Sequence, residues 1–267
     1  MPLLPKVARA ALHFWEEPCI SGRNGSGTVF FSGCTLDCAF CQNYDISHGG
    51  YGKVITHQRL ADIFKELEEK GAQNINLVTP THFVPAIIRA LDIYKPRIPI
   101  VYNSGGYDSV EEIRVLKGYV DIFLMDLKYL SGDRAALYSS VPDYPEYAAS
   151  AIRECYKTQP VCGFRDGIMQ KGLIVRHLLL PQGTNEAIKV FDWVRDNTPN
   201  AYFSIMSQYT PCGKASDMPI INRRVTKREY EKVLAYICNS SFENVYIQER
   251  ESSDKKYIPP FDLEGVR

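Results

Sequence analysis

From residue 28 onward the chain alternates short β-branched, apolar runs with amphipathic stretches of helical period. That alternation is the pattern of βα units around a parallel sheet. Strand candidates run 28–32, 74–79, 98–103, 120–126, 173–180, 202–207 and 244–248. Between them, 59–70 brings Leu60, Ile63, Phe64 and Leu67 to one face, and 83–94 follows the same period. Ser109 with Glu112 and Thr226 with Glu229 each match a capping box, in which a hydroxyl and a carboxylate satisfy the first free amides of a helix. Asp166-Gly167 allows a hairpin ahead of the strand at 173–180. The order of elements predicts an α/β fold, a partial, TIM-like (β/α)6 barrel, and 267 residues suit one such domain spanning 1–267. Chemistry in such barrels collects at the C-terminal strand ends, at or near which Cys34, Asn103, Asp126 and Arg176 fall.

Composition narrows the function classes. The 31 basic and 31 acidic side chains cancel, which argues against a general nucleic-acid binder. Arg223, Arg224, Lys227 and Arg228 form a local basic run beside a helix start, a solvated face in most proteins and here also a candidate docking surface. The stretch MPLLPKVARAALHFWEE has no apolar core of signal-peptide length, and no segment approaches a membrane span. The expectation is a cytoplasmic protein with no membrane partner. Of the 8 cysteines, those outside one loop (Cys19, Cys155, Cys162, Cys212 and Cys238) are scattered, which fits a reducing interior better than a disulfide framework. Cys155 and Cys162 read as buried free thiols or as a redox pair.

The loop FFSGCTLDCAFCQNYDIS spaces its cysteines as Cys34-x3-Cys38-x2-Cys41. Thiolates are soft ligands suited to iron-sulfur clusters and to zinc. A cubic four-iron cluster normally takes four of them. This loop offers three, which leaves one iron open to another ligand. A structural zinc site is the alternative; it needs a fourth ligand such as Cys19 or His48, and more often pairs its cysteines as C-x2-C.

The cysteine loop together with VDIFLMDLKY at 120–129 resembles the radical S-adenosylmethionine (radical SAM) enzymes, and within them the activating enzymes of glycyl radical systems, such as pyruvate formate-lyase activating enzyme and its shorter relatives. The resemblance covers nearly the whole chain, most strongly at the cysteines. It implies a [4Fe-4S] cluster on Cys34, Cys38 and Cys41, with SAM bound to the open iron through its amino and carboxylate groups. It also implies an external one-electron reductant such as flavodoxin or ferredoxin. Reductive cleavage of SAM would then give a 5′-deoxyadenosyl radical that abstracts hydrogen from a glycine of a partner glycyl radical enzyme. Radical modification of a small molecule or peptide is the alternative, and a non-enzymatic iron-sulfur or zinc protein a third.

Residue by residue, the resemblance places Asp126 and Lys128 facing SAM, and period-two alternation puts both on one face of their strand. Asn103 and Ser104 stand where the family has an Asp-Thr-Asn-Gly-like turn beside a monovalent cation; Asn in place of Asp removes one charge and leaves hydrogen bonding to SAM. The family's Gly-Gly-Glu is replaced by Val78-Thr79-Pro80-Thr81-His82, in which Thr79, Thr81 and His82 offer acceptors or simply make a strand-to-helix turn. Arg176 is the expected clamp on the SAM carboxylate, with His177 on the opposite face as a structural histidine. Met206 and Gln208 suit a nucleoside, although core packing also explains Met206. Phe40 is the candidate ring beside adenine, or a loop-packing aromatic.

Overall fold

Strand β1 (Lys6–His13) lies antiparallel to β2 (Ser26–Phe31) in the computed structural model, which describes residues 3–248 and 259–267. From β2 the sheet continues in parallel through β4 (Ile75–Val78), β5 (Ile100–Ser104), β6 (Ile122–Asp126), β8 (Ile168–Leu178), β9 (Tyr202–Met206) and β10 (Val245–Ile247). Strand β3 (Lys53–Val54) adds two residues beside β1, and β7 (Gly163–Arg165) folds back on β8. Among the described residues no pairing joins β10 to β1 or β3, so the barrel is not closed.

Helices fill the crossovers. Short α1 (Pro18–Ser21) and α2 (Tyr44–Ser47) flank β2 and the cysteine loop. They are followed by α3 (His57–Glu69), α4 (Val84–Ile93), α5 (Val110–Val115), the pair α6 (Gly132–Ser139) and α7 (Tyr144–Thr158), then α8 (Thr184–Asn197) and α9 (Lys227–Cys238). Thr56 caps α3 by accepting from the Arg59 amide, and both capping boxes form. The face of α3 read from the sequence is the buried one: Leu60, Ile63, Phe64 and Leu67. Burial on both faces of the parallel strands explains why β2, β4 and β5 read as nearly continuous runs.

Alternation then divides the sheet. Leu77, Tyr102, Phe123, Met125, Val175 and Phe203 belong to the main core with the helices. Val101, Ile122, Leu124 and Ile174 belong to a smaller cluster with Cys19 and Ile20 of α1. On that second face, period two stacks Asp126 beyond Leu124, Asn103 beyond Val101 and Arg176 beyond Ile174. The lumen is therefore apolar toward the strand N-termini, where α1 plugs it, and polar toward the C-termini.

Two features departed from expectation. Strand β1 went unnoticed because an alanine-rich run, Lys6–His13, favours helix by propensity; pairing with β2 overrides it. The segment 259–267 lies against β1, with the Ala10 amide donating to Glu264 O (2.8 Å) and the Leu263 amide to Ala8 O (3.1 Å). The hairpin at Asp166-Gly167 does form, with φ of 52° and 78°, the two positive values that a type I′ turn requires.

Candidate functional site

The cysteine loop leaves β2 and docks on the end of α6, where the Asp37 amide donates to Ser139 O (3.2 Å) and the Ala39 amide to Tyr138 O (2.8 Å). Each thiol has a polar neighbour. The Leu36 amide donates to Cys34 Sγ (3.4 Å), Ser139 Oγ lies 3.1 Å from Cys38 Sγ, and Ser47 Oγ lies 3.3 Å from Cys41 Sγ. Burial pushes the Cys34 thiol up to about 12 and raises Cys38 as well, so iron binding has to displace their protons.

These thiols fit a cluster better than a single zinc ion. Cys19 is buried in the small cluster around α1, and His48 turns to Asp37 (3.2 Å) and Ser47 (2.9 Å). Among the described residues no three His, Cys, Asp or Glu side chains converge on one ion.

Beside the thiols a cavity of about 260 Å³ opens at the C-terminal strand ends. Its lining includes Cys34, Cys38, Cys41, Phe40, Thr79, Asn103, Ser104, Asp126, Lys128, Arg176, Met206 and Gln208, so of the candidate residues only Thr81 and His82 stand outside it. Their engagements differ. Arg176 is a hub: Nε donates to Asp126 Oδ1 (2.9 Å), Nη2 to Asn103 Oδ1 (2.6 Å) and Nη1 to Glu16 Oε2 (3.1 Å). Lys128 Nζ donates to the other oxygen of Asp126 (2.6 Å). Burial alone would raise Asp126, but Arg176 and Lys128 outweigh it and hold the carboxyl below its usual range. Burial would likewise lower Lys128, yet Asp126 and Cys38 keep it raised.

Ser104 lines the cavity while donating to Asp108, a buried carboxylate that also accepts from Thr81 (2.7 Å) and Tyr102 (2.7 Å). Thr81 is thus committed to a structural knot. His82 bonds Ser32 O (2.8 Å) and does not line the cavity. Of the three replacements considered for Gly-Gly-Glu, Thr79 alone lines it, with a left-handed φ of 56°. Phe40 meets Tyr209 edge-on at 5.8 Å, and Gln208 Nε2 contacts Met206 Sδ at 3.8 Å. His177 is buried on the far face and bonds Leu127 O (2.8 Å).

Sequence reasoning missed Glu16. Its Oε1 accepts from Asn76 (3.0 Å) and Asn103 (3.1 Å), tying the N-terminal turn to β4, β5 and β8. A pair of carboxylates between Trp15 and Pro18 was the available signal, but only the path of the chain aims it inward.

The radical SAM superfamily model matches residues 28–169, more than half of the chain. The chain belongs to the radical SAM superfamily. A curated relative, the uncharacterized protein MJ0674 of Methanocaldococcus jannaschii, is 34% identical over 233 residues, covering 84% of this chain and 64% of that protein. Among solved structures, Streptococcus suis SuiB bound to precursor peptide SuiA aligns with TM-score 0.58 and 14% identity, over 81% of this chain and 47% of that one. SuiB bound to S-adenosylmethionine gives 0.57 and 14%, over 81% and 48%. HydG, a maturase of the [FeFe]-hydrogenase, gives 0.51 and 15%, over 77% and 46%. The chain therefore spans less than two thirds of each of these proteins, and at such identities the solved structures share its fold alone. Membership in the radical SAM superfamily implies a [4Fe-4S] cluster and SAM, and the three hydrogen-bonded thiols beside a polar cavity fit both.

Proposed function

We propose that this radical SAM protein is an enzyme that cleaves SAM reductively and removes hydrogen from a substrate reached through the unclosed side of its sheet. The observation that supports this reading best is the shared cavity: Cys34, Cys38 and Cys41 on one wall, Asp126, Lys128 and Arg176 on another. Cys34, Cys38 and Cys41 would hold the cluster, which would supply one-electron reduction of SAM, the electron coming from an external donor of the flavodoxin or ferredoxin type. The chain's own residues bind and orient. Ser139, Ser47 and the Leu36 amide fix the three thiolates. Asp126 stays ionised and accepts from donors on SAM, while Arg176 is held by Asp126, Asn103 and Glu16, with its remaining N–H groups left for the SAM carboxylate. Thr79 and Asn103 offer oxygen acceptors where Gly-Gly-Glu is missing.

For the target we favour a glycine of a partner glycyl radical enzyme, on the resemblance of the cysteine loop and the Asp-x-Lys strand to activases. The basic run adds less than its sequence suggests, because Arg223 bonds both oxygens of Glu229 (2.7 and 2.9 Å). Direct modification of a small molecule or peptide is the second reading, favoured by a further cavity next to the site. Anaerobic reconstitution should give about four irons per chain, lost in Cys34→Ala, Cys38→Ala or Cys41→Ala and kept in Cys155→Ala. Electron paramagnetic resonance of candidate partners incubated with reduced enzyme and SAM then separates the targets. A glycyl doublet supports the activase; 5′-deoxyadenosine accumulating with a metabolite or peptide and no doublet supports direct modification. Stoichiometric zinc without iron would refute both.

A further inference from the structure

Across Glu16 from the site lies a second cavity of about 320 Å³, between the N-terminal turn and strands β9 and β10. Glu16 and Gln208 line both cavities, so their contents sit side by side. Its walls include Phe14, Trp15 and Tyr246. Among the described residues two acceptors in it have no hydrogen-bond partner: Glu17 Oε2 and Gln248 Oε1. Glu17 is only 8% exposed. A buried carboxylate oxygen without a hydrogen bond is costly, and a fold that keeps one has left a place for a donor.

The charge balance says which kind of donor. In and around the lumen, two cations, Arg176 and Lys128, face three carboxyl groups, Asp126, Glu16 and Glu17. The nearby cation Arg176 spends its bonds on Asp126, Asn103 and Glu16. Burial raises Glu17, and Arg176 with a hydrogen bond from Ser204 offsets this only in part. Aromatic walls favour a cation further through their ring faces. Guanidinium needs a planar fork of acceptors, whereas two separate oxygens suit the compact three-donor ammonium.

We propose that this cavity receives a primary ammonium group of the substrate, held by Glu17 and Gln248 against Trp15 and Tyr246. The proposal rests on the reading of the adjoining cavity as the SAM site, since that is what makes the amine-bearing molecule a substrate. A lysyl side chain of a polypeptide and a free small amine present the same chemistry. The test is calorimetric titration of cluster-loaded, SAM-bound full-length protein with n-pentylamine, n-pentanol, acetyl-Gly-Lys-Gly-amide and acetyl-Gly-norleucyl-Gly-amide. Each amine should bind at least tenfold more tightly than its uncharged analogue. Glu17→Gln should remove that preference while keeping iron content and SAM affinity. Its melting temperature should be no lower than wild type, because the substitution removes a desolvated carboxylate. Tighter binding of the lysyl peptide points to a polypeptide substrate; tighter binding of pentylamine points to a free amine. Absence of amine binding up to 10 mM, equal binding of charged and uncharged probes, or an unchanged preference in Glu17→Gln overturns the proposal. Iron-free Cys34→Ala protein should still prefer the amines. If it does while the wild type fails to bind SAM, the ammonium site stands and the enzymatic reading alone falls.

Discussion

Thr79 holds a left-handed backbone at the end of β4, with its amide donating to Asn103 O (2.9 Å). For a β-branched residue that conformation is strained by roughly 1–3 kcal/mol. Thr79→Gly should relieve the strain, less the 0.5–1 kcal/mol or so of extra entropy glycine loses on folding, for a net gain of about 1 kcal/mol in urea unfolding. The same change should weaken SAM binding, because the hydroxyl goes with it. Asp126 carries the opposite balance. Its folded pKa lies below the unfolded value of about 3.9, so its stabilisation is present above that value and disappears as pH falls through the folded pKa. Asp126→Asn leaves Arg176 and Lys128 undercompensated and should cost about 3 kcal/mol at pH 7. Unfolding measured across pH should show that gap closing in acid; a pH-independent gap would sink the assignment. Asp126 and Lys128 were singled out by the resemblance of the Asp-x-Lys step, and both line the cavity although Lys128 falls two residues past the end of β6. Glu16, Glu17 and Asp108 were not legible in the sequence: their roles depend on where distant strands bring their partners.

At the scale of elements, the parallel strands were readable because burial on both faces leaves continuous apolar runs, and the Asp166-Gly167 hairpin because few dipeptides accept two positive φ values. Strand β1 was not, since its composition favours helix and its identity comes from pairing alone. The segment 259–267 blunts the β1 edge, which would otherwise present free backbone groups to another chain. Arg9 secures it through Asp262 (2.7 Å) and Glu264, and Arg59 through Gly265 O (2.9 Å). Gly265 has a φ of 69°, and a Cβ there would lie 2.0 Å from Ala10 O. Gly265→Ala should therefore detach the segment and produce concentration-dependent association in light scattering. Monodisperse behaviour equal to wild type would show that the edge is protected by other means.

For the whole molecule, the unclosed sheet keeps the lumen reachable from the side while α1 seals one end. Binding inside it should be felt globally. SAM at 100 times its dissociation constant should add about 2.7 kcal/mol to the stability of the iron-loaded protein, read as a rise of several degrees in melting temperature. The Cys38→Ala protein should show a much smaller rise, and an equal rise would place SAM away from the thiols. The β1 edge adds a consequence in time. Arg9 and Asp262 are 253 residues apart, and a ribosome adding 5–20 residues per second needs roughly 13 to 50 s to cover that interval. Throughout it, strand β1 waits for the segment 259–267 that pairs with it. A newly synthesised molecule is thus most prone to join another nascent chain before residues 259–267 have emerged, and slower translation lengthens that window in proportion.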